Sequence, residues 1–403
     1  MAKLKVLVCG APLSTSGYGK HCRVILNALR TIDDKIDLYL MPYRFSNTSN
    51  TYENIADNEY YGFLISKFNP QMLGFFDISI QIGVPHEWKQ YAKYNIGVTA
   101  GVETLTIPAE WIEQVNNVNK IITISNFSKR SFTNTNIDGK TCKIPVDVVH
   151  YPVKDTTKIE NVDLNLSTSF NFLSVNQWAP RKNIEALISW FIQEFENNED
   201  VGLILKTYSQ SNSTPDFYET RLRLVDLISN FPNRKCKIYF VHGDMKDEEL
   251  NSLFNNPAIK CYINNAHGEG FALSVFDAAC SGMPIVAPDF SGYKDYLYQA
   301  KDEKSRLKPM FQRVNYDMNP VQPHHLMPGI INPGMIWAYP QEKDFKFKIR
   351  EVYKDYGRFK KQAEELKQII LPQFDEKIIN EKYIKSIFDG FNLEQEEQVI
   401  EVD

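Results

Sequence analysis

His267-Gly268-Glu269-Gly270-Phe271-Ala272-Leu273-Ser274-Val275-Phe276-Asp277-Ala278-Ala279-Cys280-Ser281-Gly282-Met283-Pro284-Ile285-Val286-Ala287 is the stretch whose reading decides the fold. A glycine-flanked acid leads into a helix over 274–281, Gly282 ends it, and the apolar run 284–288 feeds a buried strand. The backbone N–H groups of Gly270, Phe271 and Ala272 lie where intrahelical partners are lacking, so an anion such as a phosphate can dock there. A carboxylate repels an anion, so Glu269 is read instead as an acceptor for hydroxyl groups, as on a sugar. Asp277 follows eight positions later, which on a continuous helix returns it near the same face. Two acids beside an anion cradle point to a nucleotide sugar. The competing reading makes Glu269 a helix cap and Asp277 a solvated side chain.

Working outward, the same strand–helix rhythm recurs on both sides. Strands are expected at 6–9, 36–41, 78–82, 95–99, 120–125 and 145–149, and again at 170–175, 201–207, 236–241, 259–263 and 284–288. Helices are expected at 183–196, 217–229 and 247–254 besides 274–281. The strands are mostly continuous apolar runs, as in parallel sheets covered on both faces. The polar stretch 154–169 reads as a linker. This gives an α/β chain with two doubly wound, Rossmann-like domains, 1–155 and 170–372, joined by 156–169 and followed by a helical tail, 373–403. Segment 299–340 shows no clear period and is long for a loop. Residues 344–388 turn helical with a break at Pro372, and 394–403 are acidic and expected to fray.

At 403 residues the chain is long enough for two cores. The start, Met1-Ala2-Lys3 running into an apolar strand, leaves no room for a signal peptide, and no apolar run approaches a membrane span. The expectation is therefore a cytoplasmic protein, in the host cytoplasm if the source is viral. The net charge of −5 gives no global attraction to nucleic acid or anionic lipid. Cys9, Cys22, Cys142, Cys236, Cys261 and Cys280 form no C-x-x-C pair and read as small core residues. No D-x-D signature appears, and His242, His267, His324 and His325 lack metal-ligand spacing, so no metal is expected.

Three further constellations sit at expected strand ends. Ser14-Thr15-Ser16-Gly17-Tyr18-Gly19 follows the first strand, where glycines allow close approach of a ligand; it is not the dinucleotide-binding G-x-G-x-x-G. Trp178-Ala179-Pro180-Arg181-Lys182-Asn183-Ile184 puts two cations where a helix begins, a position that demands an anionic partner. Gly83-Val84-Pro85-His86-Glu87-Trp88 and Glu103-Thr104-Leu105-Thr106-Ile107-Pro108 offer His86 and Glu103 as groups able to orient or deprotonate a hydroxyl. For His86 an ordinary structural role competes with function, and Ser125, at an expected strand end, is read as a phosphate or acceptor contact.

Taken together these strings resemble the retaining, nucleotide-sugar-dependent glycosyltransferases of the GT-B fold. The opening stretch is similar to that family's "EGFGLPxxEA" and "GxPVIA" signature, with Ala272, Ser274 and Asp277 as departures. Residues 178–184 resemble its "GR…PRKN", with Asn176-Gln177 in place of Gly-Arg. Residues 103–111 and 121–129 resemble "wEtxxiPxxWv…vpSxfxk". The resemblance implies that Glu269 contacts the donor sugar and Asp277 the ribose. It implies that Arg181, Lys182 and the Gly270, Phe271 and Ala272 amides hold the diphosphate, with Gly17 and Gly19 facing it. Glu269, Lys182, His86 and Glu103 are the implied catalytic set, and Ser125 an acceptor-side contact. It further implies a UDP- or GDP-sugar type donor, no metal, a glycan or small-molecule acceptor, and a last helix, 376–388, that crosses back onto the first domain. The basic stripe Lys343, Lys346, Lys348, Arg350, Lys354, Arg358, Lys360 and Lys361 leaves open a modified base in phage DNA as acceptor. A non-catalytic nucleotide-sugar-binding protein and a nucleotide-sugar epimerase are the other readings.

Overall fold

Apolar residues buried on both faces of successive strands define two separate parallel sheets. The computed structural model describes residues 3–43, 54–300 and 305–393. The first sheet contains β1 (Leu4–Gly10), β2 (Ile36–Pro42), β3 (Phe76–Ile82), β4 (Ala92–Thr99), β5 (Lys120–Thr123) and β6 (Val146–Val148). Its order is β2-β1-β3-β4-β5-β6, and every neighbouring pair is parallel. The second contains β7 (Phe170–Gln177), β8 (Val201–Tyr208), β9 (Lys237–Val241), β10 (Ile259–Ile263), β11 (Ile285–Pro288) and β12 (Gln312–Val314). It runs β9-β8-β7-β10-β11-β12, again all parallel.

These are the two common doubly wound orders, and each has one place where the winding reverses. In the first sheet the reversal lies between β1 and β3, in the second between β7 and β10. Loops leaving the strands at such a point splay apart and open a crevice. The sheet order therefore locates the crevices: the segments after 10 and 82 in one domain, and after 177 and 263 in the other.

The chain runs without helix or strand from 149 to 169 as it passes between the sheets. The described residues of segment 299–340 are more ordered than their sequence predicts. They supply β12 and an antiparallel hairpin of Tyr316–Pro320 with Ile336–Pro340. The period was hidden because Tyr316–Pro320 is largely exposed, while the partner strand buries Trp337 and Ala338. The helical tail breaks after Gln373 rather than at Pro372, which fits inside the last turn of Tyr356–Gln373, and Asp375 caps the next helix through the N–H of Lys377.

That next helix, Glu376–Ile387, packs against Gly17–Arg30 of the first domain, as expected. The Tyr383 hydroxyl meets His21 Nε2 at 2.9 Å and donates to the Val149 carbonyl at 3.3 Å. Burial without a charged partner holds the His21 imidazole down at about 3, so it is neutral at ordinary pH. The acidic tail, 394–403, lies outside the described residues. No helix among the described residues is long and apolar enough to cross a membrane.

Candidate functional site

The crevice of the second sheet is built by two loops that are tied to each other. After β7 the chain buries Trp178, makes a tight turn over Pro180–Lys182, and enters the helix Ile184–Phe195 through Asn183, a left-handed residue with φ 53°. After β10 it runs without helix or strand through residues 264–271, bending at 267, 270 and 271, and Ala272, also left-handed at φ 63°, opens the helix Leu273–Cys280. The His267 N–H donates to the Arg181 carbonyl at 2.8 Å, which locks one loop against the other. The His267 ring stacks on Trp337 and its Nδ1 donates to the Ala338 carbonyl at 2.8 Å. Burial pulls this imidazole down to about 4, so it acts as a neutral brace.

Between the loops lies a compact ionic cluster. Lys182 Nζ donates to Glu269 Oε1 at 2.6 Å, and Arg181 reaches Glu269 Oε2 at 3.1 Å. The other side of the same guanidinium meets Glu103 of the first domain at 3.1 Å. Arg181 also donates to the Gly268 carbonyl. Glu269 is only 4% exposed. Burial pushes its carboxyl upward, but the charges and hydrogen bonds of Lys182 and Arg181 outweigh that and hold it below the ordinary carboxylate value. Burial, reinforced by the neighbouring Arg181, draws Lys182 below the usual ammonium value although Glu269 opposes this. Two cations thus face two carboxylates, and the cluster neutralises itself. The anion that the Arg181-Lys182 pair demands is, in this structure, the protein's own.

The domains touch across this cluster. A Cβ added to Gly268 would lie 2.3 Å from the Glu103 carbonyl oxygen, and one on Gly270 would lie 3.1 Å from that of Ala100. These two glycines let the first domain close on the loop. The Ser291 hydroxyl, on a residue with φ 106°, accepts the Glu269 N–H at 2.9 Å and fixes the acid's backbone. Among the described residues no protein acceptor receives the N–H groups of Gly270, Phe271 or Ala272.

Other expected residues fall differently. Asp277 does not share a face with Glu269, because the helix starts only at Leu273 and Glu269 lies in the non-helical stretch before it. Asp277 is buried and meets Lys154 Nζ at 3.4 Å, and Lys20 of the first domain lies near enough for its charge to be felt. This is a second ionic cluster, and neither lysine stood out in the sequence. Gly19 is required by packing: a Cβ there would sit 2.0 Å from the Ser14 carbonyl oxygen, while its N–H caps onto Ser16 Oγ at 3.1 Å. Gly17 faces open space.

Ser125 is fully buried and caps the helix Asn126–Thr133 through the N–H of Ser128 at 3.1 Å, which also explains why β5 stops at Thr123 rather than at 125. Its hydroxyl is occupied by that cap. His86 is exposed beside Trp111, and no contact joins it to the Glu269 cluster. The basic stripe is largely paired off: Lys346 with Glu342, Lys348 with Glu351, Arg350 with Glu194, Arg358 with Asp355 and Lys360 with Glu364. Among the described residues no three His, Cys, Asp or Glu side chains group as metal ligands.

The architecture is similar to that of several solved structures. The sucrose-phosphate synthase (tll1590) of Thermosynechococcus elongatus aligns over 96% of this chain and 100% of its own, with TM-score 0.64 at 12% identity. Trehalose-6-phosphate synthase OtsA aligns over 96% and 99%, with TM-score 0.60 at 10% identity. The chain has the GT-B fold. The apo form of the lipopolysaccharide outer core galactosyltransferase WaaB aligns over 96% and 99%, with TM-score 0.54 at 14% identity. No protein-family model matches the sequence, and no curated protein matches it either. In a GT-B frame the Arg181–Lys182–Glu269 cluster belongs to the second Rossmann-like domain, and Glu103 reaches it from the first.

Proposed function

We propose that the protein is a retaining glycosyltransferase that moves a sugar from a nucleoside diphosphate to an acceptor hydroxyl. One observation carries the reading: Arg181 and Lys182 converge with the buried Glu269 at the switch point of the second sheet, beside unpartnered amides. A diphosphate brings to Arg181 and Lys182 the negative charge that Glu269 and Glu103 supply without it. On binding it replaces those carboxylates, and Glu269 is released to accept hydrogen bonds from the sugar hydroxyls. Asp277, exchanging Lys154 for hydroxyls, is the group for the ribose. That the similar folds carry names of sugar-transferring enzymes is in keeping with this reading.

In the reaction the bond between the anomeric carbon and the diphosphate oxygen breaks as the acceptor oxygen bonds to that carbon on the same face. The acceptor proton passes to the departing phosphate oxygen, so no protein nucleophile is needed. Negative charge grows on the diphosphate, and Lys182, Arg181 and the amides of Gly270–Ala272 stabilise it. No metal enters this scheme, so activity should survive EDTA. Incubation with UDP-, GDP-, ADP- and dTDP-sugars tests it. The expectation is nucleoside diphosphate release that disappears in Lys182→Ala, with NMR showing the donor's anomeric configuration in the product. Binding without release from any donor or acceptor would support the non-catalytic reading, and a changed free sugar the epimerase.

A further inference from the structure

The loop that carries Arg181 and Lys182 has a second side. There, a cavity of about 280 Å³ is lined by residues of the 178–190 segment, of the helix Thr214–Ser229, and of the hairpin region 322–340. Arg181, Lys182, Glu269 and Glu103 are not among its walls. Its size, just under the ~300–1,000 Å³ range of small-molecule sites, suits a single ring better than a whole nucleotide.

The walls combine aromatic faces with one buried, unpartnered donor and several solvent-accessible polar side chains. Trp190 and Tyr339 supply the aromatic surface, and the buried Trp178 lies behind them under Arg223. The Trp178 indole N–H is buried without a partner. The side chains of Asn183 and His325, half-buried, and of Gln322, exposed, make no hydrogen bond to protein among the described residues and are free to meet a ligand. Arg223 covers the Trp178 ring at 4.8 Å and binds Glu185, both of its contacts falling on Oε1, so Oε2 remains available. The fixed charges cancel within that pair, so the cavity has no call for a charged ligand. An orphaned buried donor costs about 1–3 kcal/mol and is a group a ligand can satisfy. Donors and acceptors ringed around aromatic faces match a ring that bears hydroxyls on its edge and C–H groups on its faces.

We propose that this cavity binds a neutral pyranose, at a site separate from the ionic cluster. Its floor includes His267, whose N–H bonds the Arg181 carbonyl, so the two sites share one wall. The proposal does not depend on glycosyl transfer, and its test reads binding without nucleotide. Trp178 and Trp190 provide the signal. Tryptophan fluorescence and calorimetry are followed while methyl α-glucopyranoside, methyl β-galactopyranoside and N-acetylglucosamine are titrated in.

The expected result is saturable binding of at least one ring. Gln322→Ala and His325→Ala, both with unchanged circular dichroism, should weaken it about tenfold, roughly the loss of one to two hydrogen bonds. Lys182→Ala and saturating nucleoside diphosphate should leave it intact. A trisaccharide of the preferred ring binding equally well identifies a terminal sugar as an acceptable source; its exclusion identifies the free sugar. Absence of saturable binding across the panel would overturn the proposal. So would binding that Lys182→Ala or nucleoside diphosphate abolishes while Gln322→Ala and His325→Ala retain it.

Discussion

The two sheets present the same topological feature, a switch point at the carboxyl ends of parallel strands, and use it in opposite ways. In the first domain the loop after β1 is closed on itself. Ser16 caps Gly19, the Ser14 carbonyl leaves no room for a side chain at Gly19, and Arg23 donates to the carbonyls of Pro12 and Ser14. In the second domain the loops after β7 and β10 concentrate Arg181, Lys182 and Glu269 in a buried site that is balanced only when Glu103 is counted. The loop at one switch point is packed shut; the other switch point gathers two buried cations and two carboxylates. The difference teaches that a GT-B frame fixes where a ligand sits, while the side chains decide which domain grips it.

The largest expected effect breaks the charged side. Lys182→Ala removes one of the two cations proposed to hold the diphosphate, and loss of a preorganised charge-stabilising donor typically costs ~10²–10³ in turnover. Release of nucleoside diphosphate should fall by at least that factor, with binding of nucleoside diphosphate lost in calorimetry. A loss confined to KM would move Lys182 from the transition state to ground-state binding.

Next comes the packed side. Gly19→Ala forces a methyl onto a backbone oxygen and should destabilise the fold by ~1–3 kcal/mol in denaturant melts. Gly17→Ala meets open space and should change stability by less than about 1 kcal/mol. If Gly17→Ala lowers transfer while leaving stability intact, the first loop also faces the donor and the contrast narrows.

Acid should act on the brace of the second site. The folded His267 imidazole sits near 4 against an ordinary 6.5, so the unfolded chain binds more protons between those values. Stability contributed by the neutral ring is therefore full above 6.5 and lost as pH falls toward 4, by an amount on the order of 3 kcal/mol. The buried neutral His21 adds to the same trend. His267→Asn, whose amide can replace the Nδ1 bond without titrating, should flatten part of the slope of melting temperature against pH. The smallest effect belongs to Glu103→Gln. It frees one side of Arg181 but leaves Glu269 in place, so nucleoside diphosphate affinity should rise only a few-fold.

Much of this was legible along the chain. The apolar runs located the principal strands of both sheets within a few residues, because burial on both faces leaves no polar phase to confuse them. Arg181, Lys182 and Glu269 were legible as chemistry because cations at a helix entrance require an anion. What the sequence could not disclose is which anion. The Glu103–Arg181 and Lys154–Asp277 pairs join residues of different domains, and local pattern carries no trace of such distances. Asp277 misled for a local reason: Ala272 adopts a left-handed conformation and the helix starts four residues after Glu269, so helical spacing does not apply.

The central claim is that Glu269 and a donor diphosphate compete for Arg181 and Lys182. Calorimetric titration of nucleoside diphosphate into the wild type and Glu269→Gln tests it most directly. The account predicts that Glu269→Gln binds nucleoside diphosphate about tenfold more tightly, a gain of ~1.4 kcal/mol, while sugar transfer collapses. Equal or weaker binding in a folded Glu269→Gln protein would contradict it.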